Sequence, residues 1–539
     1  MARIVILLLT VIATVLLLLV SDVPLGVPAE WVWRRQPLPE NLIEAMDRLA
    51  IPAIVGAILV AFAQFVDRRI DRSSYLLRTM FVVILVAGAF SWLNAVRQSA
   101  ATPHRELRPL WVLYDRFASG YFFEAVFHTS SAEELLGGYE QRMAKGDVLH
   151  EGTHPPGLFL LNFWAIEATE RSEWIASFAE MTINAETVRL FRVMETDVRS
   201  SRPLSSSEFS ALCLVSFLST LLSAMTVIPV YVLVSRLVNR RAGWRAACVM
   251  LTIPCLAVFA PRSDIVYAFS ATMILCLLVH SVFAESKVAC WLLAAMAGAT
   301  VFASMTVSLA HIPVLVACCL FFLVICIGPR SNRVPWSRVV LSSSVALVVF
   351  ALAVIVWGYV TDCSLPRVWS WNLTNHAGFY KQSSRTWWKW FLVNPAELSF
   401  SIGLPLMFAF LESLARMCNS LKAELRVKSE SAKHGQVTVI GRLAMCLFVT
   451  WAALWLSGKN MGEAARLWCF LTPWFVIGAS CCLGPEFSAR RIDQNSLQRK
   501  TEPLYHSWYW LILLIAQMIV CTATVGGMSG YQELTNFAG

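Results

Sequence analysis

Six ionisable residues crowd one stretch of the chain: Asp115, Glu124, Asp147, His150, Glu151 and His154. Carboxylates at this density suit a general base, because a hydroxyl is a weak nucleophile until a nearby group takes its proton. His154 opens the run His154-Pro155-Pro156-Gly157. The two prolines fix φ and the glycine frees the next turn, so the imidazole is expected to be held rigidly at a helix start. A second group, Arg262 and Asp264 in FAPRSDIVYAF, stands at the mouth of an apolar run. There an acid either caps a helix N-terminus or faces an internal cavity. The turn WLSGKNMGEAARLWCFLTPW adds Lys459, Glu463 and Arg466. Glu463 and Arg466 share a face on a helix, and a guanidinium fork suits a phosphate. Finally, WSWNLTNHAGFYKQSSRTWWKWFLVNPAEL sets His376, Lys381, Arg385 and Lys389 among tryptophans, a mixture suited to a sugar and its phosphate. Each group has a plainer reading: a turn, a cap, a structural ion pair, or an aromatic belt with snorkelling cations. Asn372-Leu-Thr374 also matches a glycosylation acceptor pattern.

The elements that must position these residues follow from composition. Of 539 residues 57% are apolar and only 15% charged, and the mean hydropathy is +0.61. A water-soluble enzyme, a disordered chain and a disulfide scaffold all fit poorly. Most of the 15 cysteines lie in apolar runs, and they form neither CxxC pairs nor zinc spacing. Apolar stretches long enough to span a bilayer are expected near 3–20, 51–67, 76–96, 208–235, 245–260, 264–284, 288–306, 308–328, 339–360, 398–415, 436–457, 465–484 and 508–528. That is an all-α polytopic membrane protein of about 13 transmembrane helices. The apolar stretch 155–168 is too short to span and is read as a helix lying in the interface.

With 155–168 kept out of the membrane, the basic loops fall on one side. They include Arg68, Arg69 and Arg72, then Arg240, Arg241 and Arg245, then Arg416 to Arg442, and Arg490 to Lys500. These loops hold about half of the 44 Lys and Arg and few of the 35 acids, so this face is expected to be cytoplasmic. The net charge of +9 is thereby explained by topology and not by nucleic acid, which is excluded as a partner. The opposite face receives the long loops 97–207 and 361–397 and the turns 261–264 and 458–466, that is, every chemical candidate.

His154-Pro-Pro-Gly157 with LFLLNFW, APRSD ending at Asp264, NPAELSFSIGLPL at 394–406 and Gly462-Glu-x-x-Arg466-Leu-Trp occur in this order on one face. Together they resemble the GT-C class of integral-membrane glycosyltransferases, in particular bacterial mannosyltransferases and aminoarabinose transferases that use polyprenyl-phosphate sugars. The resemblance spans roughly 76–484, with 1–75 as two additional spans and 485–539 as an inner loop and last helix. It implies transfer of a sugar from a polyprenyl-phosphate donor to a lipid, glycan or protein acceptor on the extracytoplasmic face, with inversion. It implies a loop carboxylate as base, with Asp115, Asp147 and Glu151 all open and His154 beside them. Substrate binding would fall to Arg262, Asp264, His376, Lys381, Arg385, Lys459, Glu463 and Arg466. It names no certain cofactor and leaves room for a divalent metal ion. The expected setting is a bacterial inner membrane with the site facing the periplasm, in contact with membrane lipids. An O-antigen ligase or polymerase is the nearest rival reading; a transporter and a structural assembly subunit fit less well.

Overall fold

The computed structural model describes residues 2–146, 150–197, 202–327, 333–382, 384–426, 439–483 and 502–530. The chain is an all-α polytopic membrane protein. Ten of the described helices are long and apolar enough to cross a membrane, or eleven if one sharply bent pair is counted as a span. Helix starts carry local signals. Ser205 and Glu208 form a reciprocal capping box ahead of the Ser206–Leu237 span, and Asn41 and Ser74 cap the Leu42–Asp67 and Tyr75–Arg97 spans. Such caps contribute about 1 kcal/mol each.

Three of the thirteen expected spans are interrupted. The stretch 245–260 lies in two helices, Arg240–Met250 and Pro254–Val258, because Pro254 has no N–H to continue the ladder and instead opens the second piece. The stretch 465–484 runs as Ala464–Leu467, a 3-10 turn at Cys469–Leu471 and Thr472–Leu483. At 398–415 the helices Trp387–Ile402 and Leu404–Lys422 meet at 109°. The hinge is Gly403, at φ +92°, where a side chain would be strained and would collide with Gln517. A break inside a membrane exposes backbone polar groups that need partners. Gln517 supplies them, donating to Ile402 O at 2.9 Å and accepting from Leu406 N at 3.4 Å.

Two faces emerge from the contacts at span ends. On the basic face Arg245 makes a bidentate pair with Asp67 (2.7 and 2.9 Å) and donates to Leu483 O at 2.7 Å. Arg3 meets Glu412 there at 2.7 Å. On the opposite, loop-bearing face the Gly157 N–H donates to Thr306 O at 2.8 Å, and the Arg34 carbonyl accepts from Ser529 N at 2.8 Å. The helix Gly157–Arg171 has both ends on this loop face, since Thr169 at its far end donates to Ser207 O at 2.9 Å. It therefore does not cross.

The loop face also carries a small antiparallel hairpin, Leu25–Val27 with Trp31–Trp33, which hydropathy alone does not announce. Its tip residue Glu30 accepts from Thr386 N (2.8 Å), Thr386 Oγ1 (2.6 Å) and Trp390 Nε1 (2.8 Å), and pairs with Lys389 at 3.1 Å.

Candidate active site

Loop 97–207 is largely helical. Its helix His104–Tyr114 ends at Asp115, whose extended backbone turns the chain. The Asp115 carboxylate accepts from Phe117 N at 3.3 Å and its carbonyl from Ser119 N at 3.1 Å, closing a tight turn that leaves the acid half-buried. Gly120 completes the turn at φ +71°, and a Cβ there would stand 2.4 Å from the His150 ring. The buried Arg262 guanidinium donates to Ala118 O in the same turn. The APRSD segment is thus fastened directly behind Asp115.

Tyr121 follows and is ringed edge-on by His150, His154 and Phe159, with centroids at 5.5, 5.4 and 5.1 Å. Behind them the HPPG run is held by its backbone. The Tyr139 hydroxyl donates to His154 O at 2.7 Å, while the amides of Asn372 and Asn375 donate to Gly152 O at 3.3 and 3.0 Å. Burial depresses the His154 imidazole to about 4; the nearby charge of Asp264 opposes this, while Arg466 and His376 push it further down. The imidazole is neutral at pH 7. The same pair, Asp264 and Arg466, acts on Tyr121, whose hydroxyl is raised chiefly by burial. His154, Tyr121, Asp264 and Arg466 therefore share one electrostatic neighbourhood, although they come from three distant segments.

Arg466 forms an ion pair with Glu463, which sits in the left-handed region at φ 57°. Glu397, from the NPAEL segment, accepts from Ala464 N at 3.2 Å and from the Trp33 indole. It thereby caps the short helix that carries Arg466 and ties it to the N-terminal hairpin. His376 lies one turn from Tyr380, whose hydroxyl accepts from Met461 N at 3.0 Å. Burial, and then Lys459, lower the His376 imidazole.

Other expected site residues are placed elsewhere. Glu151 shares Arg142 with Glu124, at 3.1 and 2.6 Å, and burial followed by the Glu124 charge raises its carboxyl. Arg385 donates to Glu30 O at 2.7 Å and lies over the Trp31 and Trp390 rings. Lys381 and Lys459 are exposed. Asp147 lies outside the described residues. Asn372, in the glycosylation pattern, is buried with its amide on Gly152. Among the described residues no three His, Cys, Asp or Glu stand together as a metal-holding group.

Sequence reasoning missed Tyr121, Glu397 and Glu30. The only advance signal was a charge inside the apolar NPAELSF segment; Tyr121 and Glu30 had none.

No family model matches the sequence, and no curated protein sequence matches it. Solved structures do resemble the fold at low identity. An oligosaccharyltransferase from Archaeoglobus fulgidus, solved with zinc and sulfate, is 14% identical over 61% of this chain and 43% of its own, with a TM-score of 0.42. Archaeal AglB from the same organism, in complex with an inhibitory peptide and a dolichol-phosphate, is 12% identical over 92% of this chain and 57% of its own, at 0.43. This chain thus spans about half the length of those two proteins. ArnT from Cupriavidus metallidurans, bound to undecaprenyl phosphate, is 13% identical over 83% of this chain and 78% of its own, at 0.38.

Proposed function

We propose that the protein transfers a sugar from a polyprenyl-phosphate donor to an acceptor on its loop-bearing face. The observation that carries this reading is that the charges of Asp264 and Arg466 both reach His154, at the start of a helix that lies along that face, while Arg262 fastens the Asp264 segment to the Asp115 turn. Such a place offers a carboxylate, a neutral imidazole and a cation at the boundary where a lipid phosphate resides.

In this reading Asp115 is the base, since its carboxylate is half-buried at the turn to which Arg262, two residues before Asp264, is fastened. Asp115 removes the proton of the acceptor hydroxyl as its oxygen attacks the anomeric carbon. The bond from that carbon to the phosphate oxygen breaks, and its electron pair leaves with the polyprenyl phosphate. A single displacement of this kind inverts the anomeric centre. Arg466, supported by Glu463 and Glu397, faces the leaving phosphate, in a partly dry site where a charge interaction is stronger than in water. His154 donates a hydrogen bond to the sugar, and Asp264 orients the group around it.

The test is sugar transfer by the full chain in liposomes, with Asp115→Asn, Asp147→Asn and Glu151→Gln compared. Asp115→Asn is expected to lower kcat by about 100- to 10,000-fold with KM little changed. Full transfer by all three variants would remove the base from this loop.

A further inference from the structure

A separate cavity of about 360 Å³ lies between the end of the Tyr75–Arg97 span, the Ser216–Thr220 stretch of the Ser206–Leu237 span and the Thr182–Asn184 bend of the loop face. Its volume lies at the lower end of ligand sites, about 300–1,000 Å³, and suits a head group more than a whole lipid. Arg97 and Arg108 both line it, and none of its lining residues is an acid. Arg108 is 2% exposed and is steadied by Val258 O at 3.3 Å.

The two guanidinium groups stand close enough to act on one another's charge. Glu106, whose charge also reaches Arg97, has one carboxylate oxygen engaged by Arg105 at 2.5 Å, and Arg105 in turn meets Asp47 at 2.7 Å. His104 adds no further charge to the pair: burial, then Arg108, hold it down to about 4, so it stays neutral. Two donors on lining residues, Arg97 Nε and Thr187 Oγ1, have no hydrogen-bond partner among the described residues. Like charges gathered at a partly dry place are unfavourable unless an anion joins them. Part of the apolar lining, Phe90, Leu93 and Phe217, belongs to the membrane spans, so the cavity has an apolar wall inside the span region.

We propose that this cavity is an anion site that takes the phosphate of a membrane lipid, held by Arg97 and Arg108, apart from the His154–Asp264–Arg466 neighbourhood. Its occupant shares its chemistry with free phosphate, but the apolar wall favours a phosphate carried on an alkyl or prenyl chain. The proposal does not depend on sugar transfer.

The test is binding of farnesyl phosphate, farnesol and inorganic phosphate to the full chain in nanodiscs, read by native mass spectrometry. Farnesyl phosphate is expected to bind saturably, farnesol not, and inorganic phosphate only weakly. Arg97→Gln should weaken farnesyl phosphate by about tenfold, the loss of one charge-assisted contact. Ser91→Trp, at the exposed rim of the cavity, should do so without touching the buried arginines, which covers the case in which Arg97→Gln fails to fold. Inorganic phosphate binding as tightly as farnesyl phosphate would overturn the lipid assignment. Unchanged binding in both variants, or loss confined to Arg466→Gln, would overturn the site itself.

Discussion

The N–H of Gly157 donates to the carbonyl of Thr306 at 2.8 Å, joining the interfacial helix of the first long loop to the end of a membrane span 149 residues later. The approach is this close because Gly157 has no side chain: a Cβ there would stand 2.5 Å from the Thr306 oxygen. Gly157→Ala should therefore lower stability by about 1–3 kcal/mol, as overpacking does, in a thermal melt of the purified protein. Gly358→Ala is the control, since a Cβ at Gly358 meets nothing within 4 Å and lies in a helix. It should leave the melt unchanged or raise it. Equal losses in both variants would show that the Gly157 contact does not hold the loop.

Asp67 and Arg245 form an enclosed ion pair at the basic face, with side chains 11% and 4% exposed. Removing one partner leaves a charge without compensation and should cost about 3–5 kcal/mol. Asp67→Asn is expected to lose most of the stability that Asp67→Asn with Arg245→Met loses, or more. A double variant far less stable than the single one would mean that the Arg245 bond to Leu483 O, and not the ion pair, dominates.

His154 sets the direction of one pH dependence. Its folded-state value of about 4 lies below the ordinary 6.5, so between these values the unfolded chain binds a proton that the folded chain does not. The contribution is complete above about pH 6.5 and is lost as pH falls towards 4. His104 acts with the same sign in the same window. Melting temperature should fall across this interval in the wild type and fall less steeply in His154→Gln. An identical slope in the variant would place the titration on other groups.

Glu30 anchors the hairpin through four donors on Thr386, Lys389 and Trp390. Burial alone would raise its carboxyl, but these hydrogen bonds outweigh it and bring it to about 2. Glu30→Ala should release Leu25–Trp33 from Thr386, Lys389 and Trp390 and speed amide hydrogen exchange there, while exchange in the Ser263–Val282 span stays as before. Unaltered exchange in the hairpin would mean that the Trp31 and Trp33 packing suffices.

Much of the architecture was legible in the sequence, because hydropathy is additive along the chain. Ten runs of apolar residues became ten described helices long and apolar enough to cross, and the 14 residues of 155–168, too few to cross, became a helix with both ends on one face. All three broken spans carried a local sign, a proline at Pro254, Pro405 and Pro473 in the first turn of the helix that follows the break. What the tertiary structure alone decided was which polar groups meet. Arg385 and Arg466 look alike in sequence, yet Arg385 is spent on a hairpin 355 positions earlier while the charge of Arg466 reaches His154. Arg97 and Arg108 gave no warning that they would line one cavity. A charge interaction depends on distance and burial in space, and neither is a property of a residue's neighbours along the chain.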